Sequence, residues 1–119
     1  MRHSKTGRKF GRKKGVRTAL KSSLVEALVS REKILTTEAR AKEIRPLVEA
    51  MVTKAKKGTL AVRRDLTASL GGRSVIAKKL IEVLAPRYKD RKGGYIRITK
   101  VVKRASDGRQ SAVIEFLEK

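Results

Sequence analysis

The stretch KILTTEARAKEIRPLVEAMVTKAKKG, residues 33–58, changes its period partway along. KILTT at 33–37 is short and β-branched, which reads as a strand. From Glu38 the apolar residues recur at helical spacing: Ala41, Ile44, Val48, Met51 and Ala55 form a stripe that Leu47 and Val52 widen. Thr37 is placed to cap this helix, and Glu38 is favourable near its positive end. Gly58 after two lysines supplies a stop, so the helix should run from about Glu38 to Lys57. Pro46 falls inside it. A proline there lacks an N–H and crowds the carbonyl one turn back, so a kink is expected, or two shorter helices meeting near Arg45.

Working outward, Leu20, Leu24, Ala27 and Leu28 mark an amphipathic helix over roughly 18–31. Thr59 can cap a third helix over 60–70 that Gly71-Gly72 ends. Ser74 can cap a fourth, with Val75, Ile76, Leu80, Val83 and Leu84 inward and Pro86 as its stop. The signal then switches. YIRITKVVK at 95–103 is β-rich, ASDG at 105–108 supplies a turn, and SAVIEFL at 111–117 alternates. Residues 33–36 should join this antiparallel hairpin as a third strand. About four helices packed on a small sheet make an α+β fold. The organisation expected is a basic N-terminal extension over 1–17, extended when free, followed by a single globular domain over 18–119.

Charge narrows the function. The chain has 119 residues, with 32 Lys plus Arg against 11 Asp plus Glu and a net charge of +21. The first 25 residues hold nine bases and no acid; the other 94 hold 23 bases and 11 acids, so the body alone is +12. Such a surplus repels itself and makes physical sense when a polyanion neutralises it. Nucleic acid is the first candidate and an anionic membrane surface the second. No apolar run approaches the roughly 20 residues that span a bilayer. The basic start has no apolar stretch behind it, as a secretory signal would. With no cysteine and one histidine, His3, neither a thiolate nucleophile nor a His/Cys metal site can be built. The acids are scattered, and several sit four residues from bases, as Glu38 does from Lys42, which reads as ordinary surface pairing. Neither GTLAVRR nor GGRSVIAKK matches a phosphate-cradling P-loop. No enzyme, cofactor or small-molecule substrate is expected, and the setting expected is the cytoplasm.

Two clusters stand out. The arm, MRHSKTGRKFGRKKGVR, carries eight bases among glycines that allow close backbone approach to phosphates, with Phe10 as its one aromatic. Residues 87–104, RYKDRKGGYIRITKVVKR, carry eight bases against Asp90, and alternation puts Arg97 and Lys103 on the strand face of Tyr95. Candidate contacts are Arg2, His3, Lys5, Arg8, Lys9, Arg12, Lys13, Lys14 and Arg17 in the arm, then Arg63 and Arg64 on the third helix, to which Lys78-Lys79 add. Arg87, Arg91, Lys92, Arg97, Lys100, Lys103 and Arg104 complete the set around the hairpin. Aromatics are only 3% of the chain, so recognition should lean on phosphates and shape rather than on stacked bases.

These residues also carry a resemblance. Met1-Arg2-His3 with Lys5 and Gly7-Arg8 is similar to the start of the bacterial large-subunit ribosomal protein family numbered seventeen. So is Ile34-x-Thr36-Thr37-x-x-Arg40-Ala41-Lys42, followed after six intervening residues by Glu49 and then Met51-Val52-Thr53-x-Ala55-Lys56. Ala85-Pro86-Arg87-Tyr88, Gly93-Gly94-Tyr95-x-Arg97-Ile98-x-Lys100 and Val113-Ile114-Glu115 resemble the family's C-terminal hairpin. The likeness departs in the arm, where family members commonly carry an asparagine and a Ser-Ser-His-Arg run. This chain has Phe10-Gly11-Arg12 and Lys13-Lys14-Gly15-Val16-Arg17 there, keeping the arginines.

The resemblance implies a structural protein of the large ribosomal subunit, bound to its ribosomal RNA near the nascent-peptide tunnel exit. It also implies neighbouring large-subunit proteins as partners, and one copy per ribosome. The main alternative from charge is a nucleoid-type DNA-binding protein, although no recognition helix or dimer seam stands out.

Overall fold

The structure, a computed structural model, describes residues 7–102 and 106–118. Its elements run α1 (Lys14–Arg31), β1 (Lys33–Thr37), α2 (Glu38–Ala55), α3 (Leu60–Ser69), α4 (Ser74–Lys79), a π-helical turn (Leu80–Leu84), α5 (Ala85–Arg87), β2 (Ile96–Lys100) and β3 (Ser111–Phe116). The three strands form one antiparallel sheet in the order β1-β3-β2. The α+β reading, the hairpin and the third strand all stand.

The hub is α2. It packs on all three strands and on α1, α3, the π turn and α5. Thr37 caps it as expected: its hydroxyl accepts from the Arg40 amide at 3.3 Å. The buried side chains are Ala41, Ile44, Val48, Val52 and Ala55, so Val52 is central while Leu47 lies on the exposed side. Each fully buried Ile or Val there contributes on the order of 1.5–3 kcal/mol. These side chains meet Ile96, Ala112, Ile114 and Phe116 in one core.

The helix runs unbroken through Pro46, and the two-helix alternative fails. Pro46 is exposed, so the one N–H bond it removes is lost on the solvent side. Thr59 caps α3 through the Val62 amide at 3.2 Å, and Gly71 and Gly72 close it. Both have positive φ, with Gly72 N–H to Thr67 O at 2.8 Å and Gly71 N–H to Ala68 O at 3.1 Å. That pair of bonds is a Schellman stop, which requires the left-handed backbone glycine supplies.

Three expectations are corrected. First, α1 begins at Lys14, four residues early, so Lys14 and Arg17 stand on a helix and the extension ends at Lys13. The bond from Arg17 N–H to Lys13 O closes its first turn, where Gly15 costs little because those amides lack helical partners anyway. Of the expected stripe Leu28 is fully buried and Leu24 and Ala27 pack partly buried against the core, while Val25 and Val29 are buried as well. Second, Ser74 does not cap: Arg73 occupies the cap position, with no side-chain bond. Third, Pro86 does not end the fourth helical stretch. The Ala85 amide bonds to Leu80 O, five residues back, and this wider turn spares the proline a clash with the carbonyl it would meet in an α-helix. The wide turn also rephases the face. Ile76, Ala77, Leu80, Leu84, Ala85 and Tyr88 point inward, while Val75 is 75% exposed and Val83 faces out.

Two substitutions test α2. Thr37→Ala should cost about 1 kcal/mol in urea unfolding. Pro46→Ala should stabilise by about 2 kcal/mol, the roughly 3 kcal/mol helix penalty of proline less about 1 kcal/mol of unfolded-state entropy regained. A destabilised Pro46→Ala would mean the proline shapes the helix rather than merely being tolerated by it.

Candidate nucleic-acid interface

The arrangement of acids sorts the cations. Glu43 on α2 receives the Lys21 ammonium at 3.0 Å from one side, and the Arg8 amide at 3.3 Å from the other. Arg8 and Lys21 flank residues 9–17, a tight turn running into the first turn of α1, so one carboxylate ties both sides of that basic segment to α2. Inside the loop the Arg12 amide donates to Lys9 O at 3.1 Å across Phe10 and Gly11, both with positive φ. Positive φ at both central positions is the mark of a tight primed turn, which is why glycine is needed at 11. The Arg12 guanidinium donates to Phe10 O at 2.7 Å. Lys9, Arg12, Lys13, Lys14 and Arg17 are left without an ion pair to any described acid. Arg2, His3 and Lys5 lie outside the described residues, as do Lys103 and Arg104.

Other acids hold two cations each from different elements. Glu32 takes the Arg87 guanidinium and, at 3.5 Å, Lys79. It sits at φ 63 as the left-handed cap of α1, its amide on Leu28 O and its carbonyl accepting from Phe116. Glu115 joins Arg97 at 2.8 Å and Lys33 at 3.8 Å across the three strands. Glu38 joins Lys42 at 2.8 Å and Lys100 at 3.6 Å. Among the described residues Glu38–Lys42 is the local pairing expected along a helix; Asp107–Arg109 is local in a turn, and the other pairs are tertiary.

Electrostatics follow the geometry. The Arg87 hydrogen bond holds Glu32 below the ordinary carboxylate range, and Glu32 in turn raises Arg87. Glu115 is lowered by its Arg97 hydrogen bond and Glu38 by that of Lys42. For Glu43, burial pushes upward, but the bonds from Lys21 and the Arg8 amide outweigh it and the net shift is down.

The candidate contacts therefore divide. Arg87 and Lys79 are struts: Arg87 is half-buried on Glu32, and Lys79 also donates to Ser30 O at 3.0 Å. Arg63 faces Glu82 at 3.5 Å, while Arg64 and Lys78 are exposed without an ion pair to a described acid. Arg97 and Lys100 are exposed but partnered. Arg91 and Lys92 are exposed and unmatched, and Arg91 shares a crevice with Arg97.

Tyr95 is not on a basic outer face. It is 1% exposed, its ring centroid 5.1 Å from that of Tyr88, with Phe116 stacked beyond at 6.3 Å from Tyr88. Alternation fixes a face only within a strand, and Tyr95 precedes β2, where Tyr88 and Lys56 enclose its ring. Lys56 and Lys57 read in the sequence as a helix stop, and Lys89 counted in the 87–104 cluster without being singled out.

The chain matches the family described as ribosomal protein L17 over residues 20–117. It is 49% identical to the large ribosomal subunit protein bL17 of Sphingopyxis alaskensis over 119 residues, covering 100% of this chain and 85% of the relative. It is 46% identical to that of Bradyrhizobium diazoefficiens, with 100% and 86% covered. For that of Syntrophotalea carbinolica the figures are 45%, 99% and 76%.

The Glu43 pin has a pH signature. Its native pKa is depressed, so its contribution is full above the unfolded value of about 4.3 and is lost as pH falls through the native one. Glu43→Gln should therefore unfold at lower urea than the parent at pH 6. The gap should close as pH drops below about 4. An equal gap at pH 6 and pH 3 would show that the carboxylate charge contributes nothing.

Proposed function

The chain belongs to the ribosomal protein L17 family, and from that premise we propose that it is a structural, non-enzymatic constituent of the large ribosomal subunit that binds large-subunit ribosomal RNA. The single observation that carries the RNA reading is the division of the cations. The acids lock some bases into the fold and leave others outward and unneutralised, concentrated in the loop over residues 9–17 and at 89–92.

The mechanism is electrostatic and shape-directed. Unmatched Lys and Arg replace counterions condensed on the phosphates, and release of those ions drives binding. The pinned loop presents Lys9, Arg12, Lys13, Lys14 and Arg17 already folded, so less ordering entropy opposes binding than for a free tail. Arg64 adds outward charge that meets no described acid, and Arg63, Arg97 and Lys100 add charge paired to carboxylates at the surface, pairs weak enough to exchange for a phosphate. The aromatics Tyr88, Tyr95 and Phe116 serve the core, so bases are not read by stacking on the sheet. A place near the nascent-peptide tunnel exit, neighbouring large-subunit proteins as partners and one copy per ribosome complete the reading.

Titrating the full chain with large-subunit ribosomal RNA should show log K falling linearly with log salt, by about 0.7–0.9 per phosphate neutralised on the DNA scales. Excess duplex DNA should compete poorly. Affinity indifferent to salt, or equal affinity for duplex DNA, would overturn the proposal.

A further inference from the structure

The unmatched cations at 89–92 gather with others at the far end of α2. Lys56, the residue after α2, points its ammonium at Arg91 O and lies 4.6 Å over the Tyr95 ring. It lines one crevice with Gly58, Pro86 and Lys89. Lys56 thus ties the end of α2 to the 88–92 turn, so that Lys57, next to it in sequence, and Lys89, Arg91 and Lys92 of the turn, with Asp90 the single acid among them, lie at this end of the helix. All four are exposed, and none pairs with a described acid. The negative end of a helix favours a cation or two nearby, and Lys54 and Lys56 already satisfy it. It does not account for four more.

The other unmatched group, in residues 9–17, is fastened to the same helix at Glu43. Glu43 and Lys56 are separated by about 20 Å of helix axis at 1.5 Å per residue. That exceeds the Debye length of about 8 Å at physiological salt, so the two groups act as independent charges. Neither can help neutralise a phosphate seated at the other.

Resting on the ribosomal RNA reading, we propose that the protein is a two-point clamp: the 9–17 loop and the 56–57/89–92 knuckle hold two separate stretches of RNA backbone at a spacing set by α2. The ligand at the knuckle is the RNA phosphodiester, because the site offers outward cations and no exposed aromatic. The continuity of α2 through Pro46 makes the spacer a single rod.

Hydroxyl-radical footprinting of large-subunit ribosomal RNA with the full chain at low salt tests this. The parent should protect two non-contiguous backbone segments. The variant Lys57→Gln/Lys89→Gln/Arg91→Gln/Lys92→Gln should lose one and keep the other, and its salt slope should fall by about 3. The charge-keeping variant Lys57→Arg/Lys89→Arg/Arg91→Lys/Lys92→Arg should keep both. A double variant, Lys57→Gln/Lys92→Gln, should weaken the same segment alone, and its melting curve checks that the fold is intact. If the neutral variants leave all protections unchanged, as they would were the knuckle a protein contact, the clamp is wrong. It is equally wrong if all protections vanish together. Failure of the parent to protect any RNA would instead sink the functional reading itself.

Discussion

Eleven acids must hold together a chain that carries 32 bases. Like-charge repulsion on that scale opposes compaction everywhere. The fold answers by placing four carboxylates, Glu32, Glu38, Glu43 and Glu115, where each meets cations from two elements. Glu32 gathers α4 and α5 onto the corner between α1 and β1; Glu43 draws the N-terminal loop and α1 onto α2; Glu115 laces the strands. Isolated surface pairs contribute little, but these act where repulsion would otherwise part neighbouring elements. At Glu32 the chain even accepts a left-handed backbone, which costs roughly 1–2 kcal/mol for a residue with a side chain.

The same scarcity produces function. Every acid committed to the fold leaves other bases unmatched, and those are displaced to the pinned loop, the knuckle and the outer helix faces. Hydrophobic burial around α2 supplies the rigidity. Its stripe meets the sheet on one side and α1, α3 and the later helical stretch on others, so a side chain fastened to α2 is fastened to the whole core. Presentation of charge and stability of the body are two consequences of one helix.

Much of this was legible in residues 33–58, because there the local signals agree. β-branched residues, a threonine cap, a helical stripe and a terminal glycine all point the same way. Thr59, Gly71-Gly72 and the hairpin were readable on the same grounds. What escaped was decided by contacts distant in sequence. The π turn at 80–84 rotates the inward face by an amount no periodicity predicts, so Val83, expected inward, lies outward; Val75, in the first turn of α4 before that turn, is exposed as well. Tyr95 was claimed by Tyr88 and Lys56 rather than by its strand. At the interface, the arm's basic composition was plain. Its pinning by Glu43 was not, since the signal is a single acid 35 residues from Arg8. That Arg87, a candidate contact, is half-buried against Glu32 was illegible for the same reason.

The balance between repulsion and these bridges can be measured on the free protein. Thermal unfolding between about 0.01 and 0.15 M salt shortens the Debye length from roughly 30 to 8 Å, which screens long-range repulsion more than the short ion pairs. If unneutralised cations dominate the energetics of the unbound fold, the melting temperature rises across that range. A melting temperature that falls with salt would mean the ion pairs outweigh the surplus, and that the protein has no electrostatic need of a polyanion.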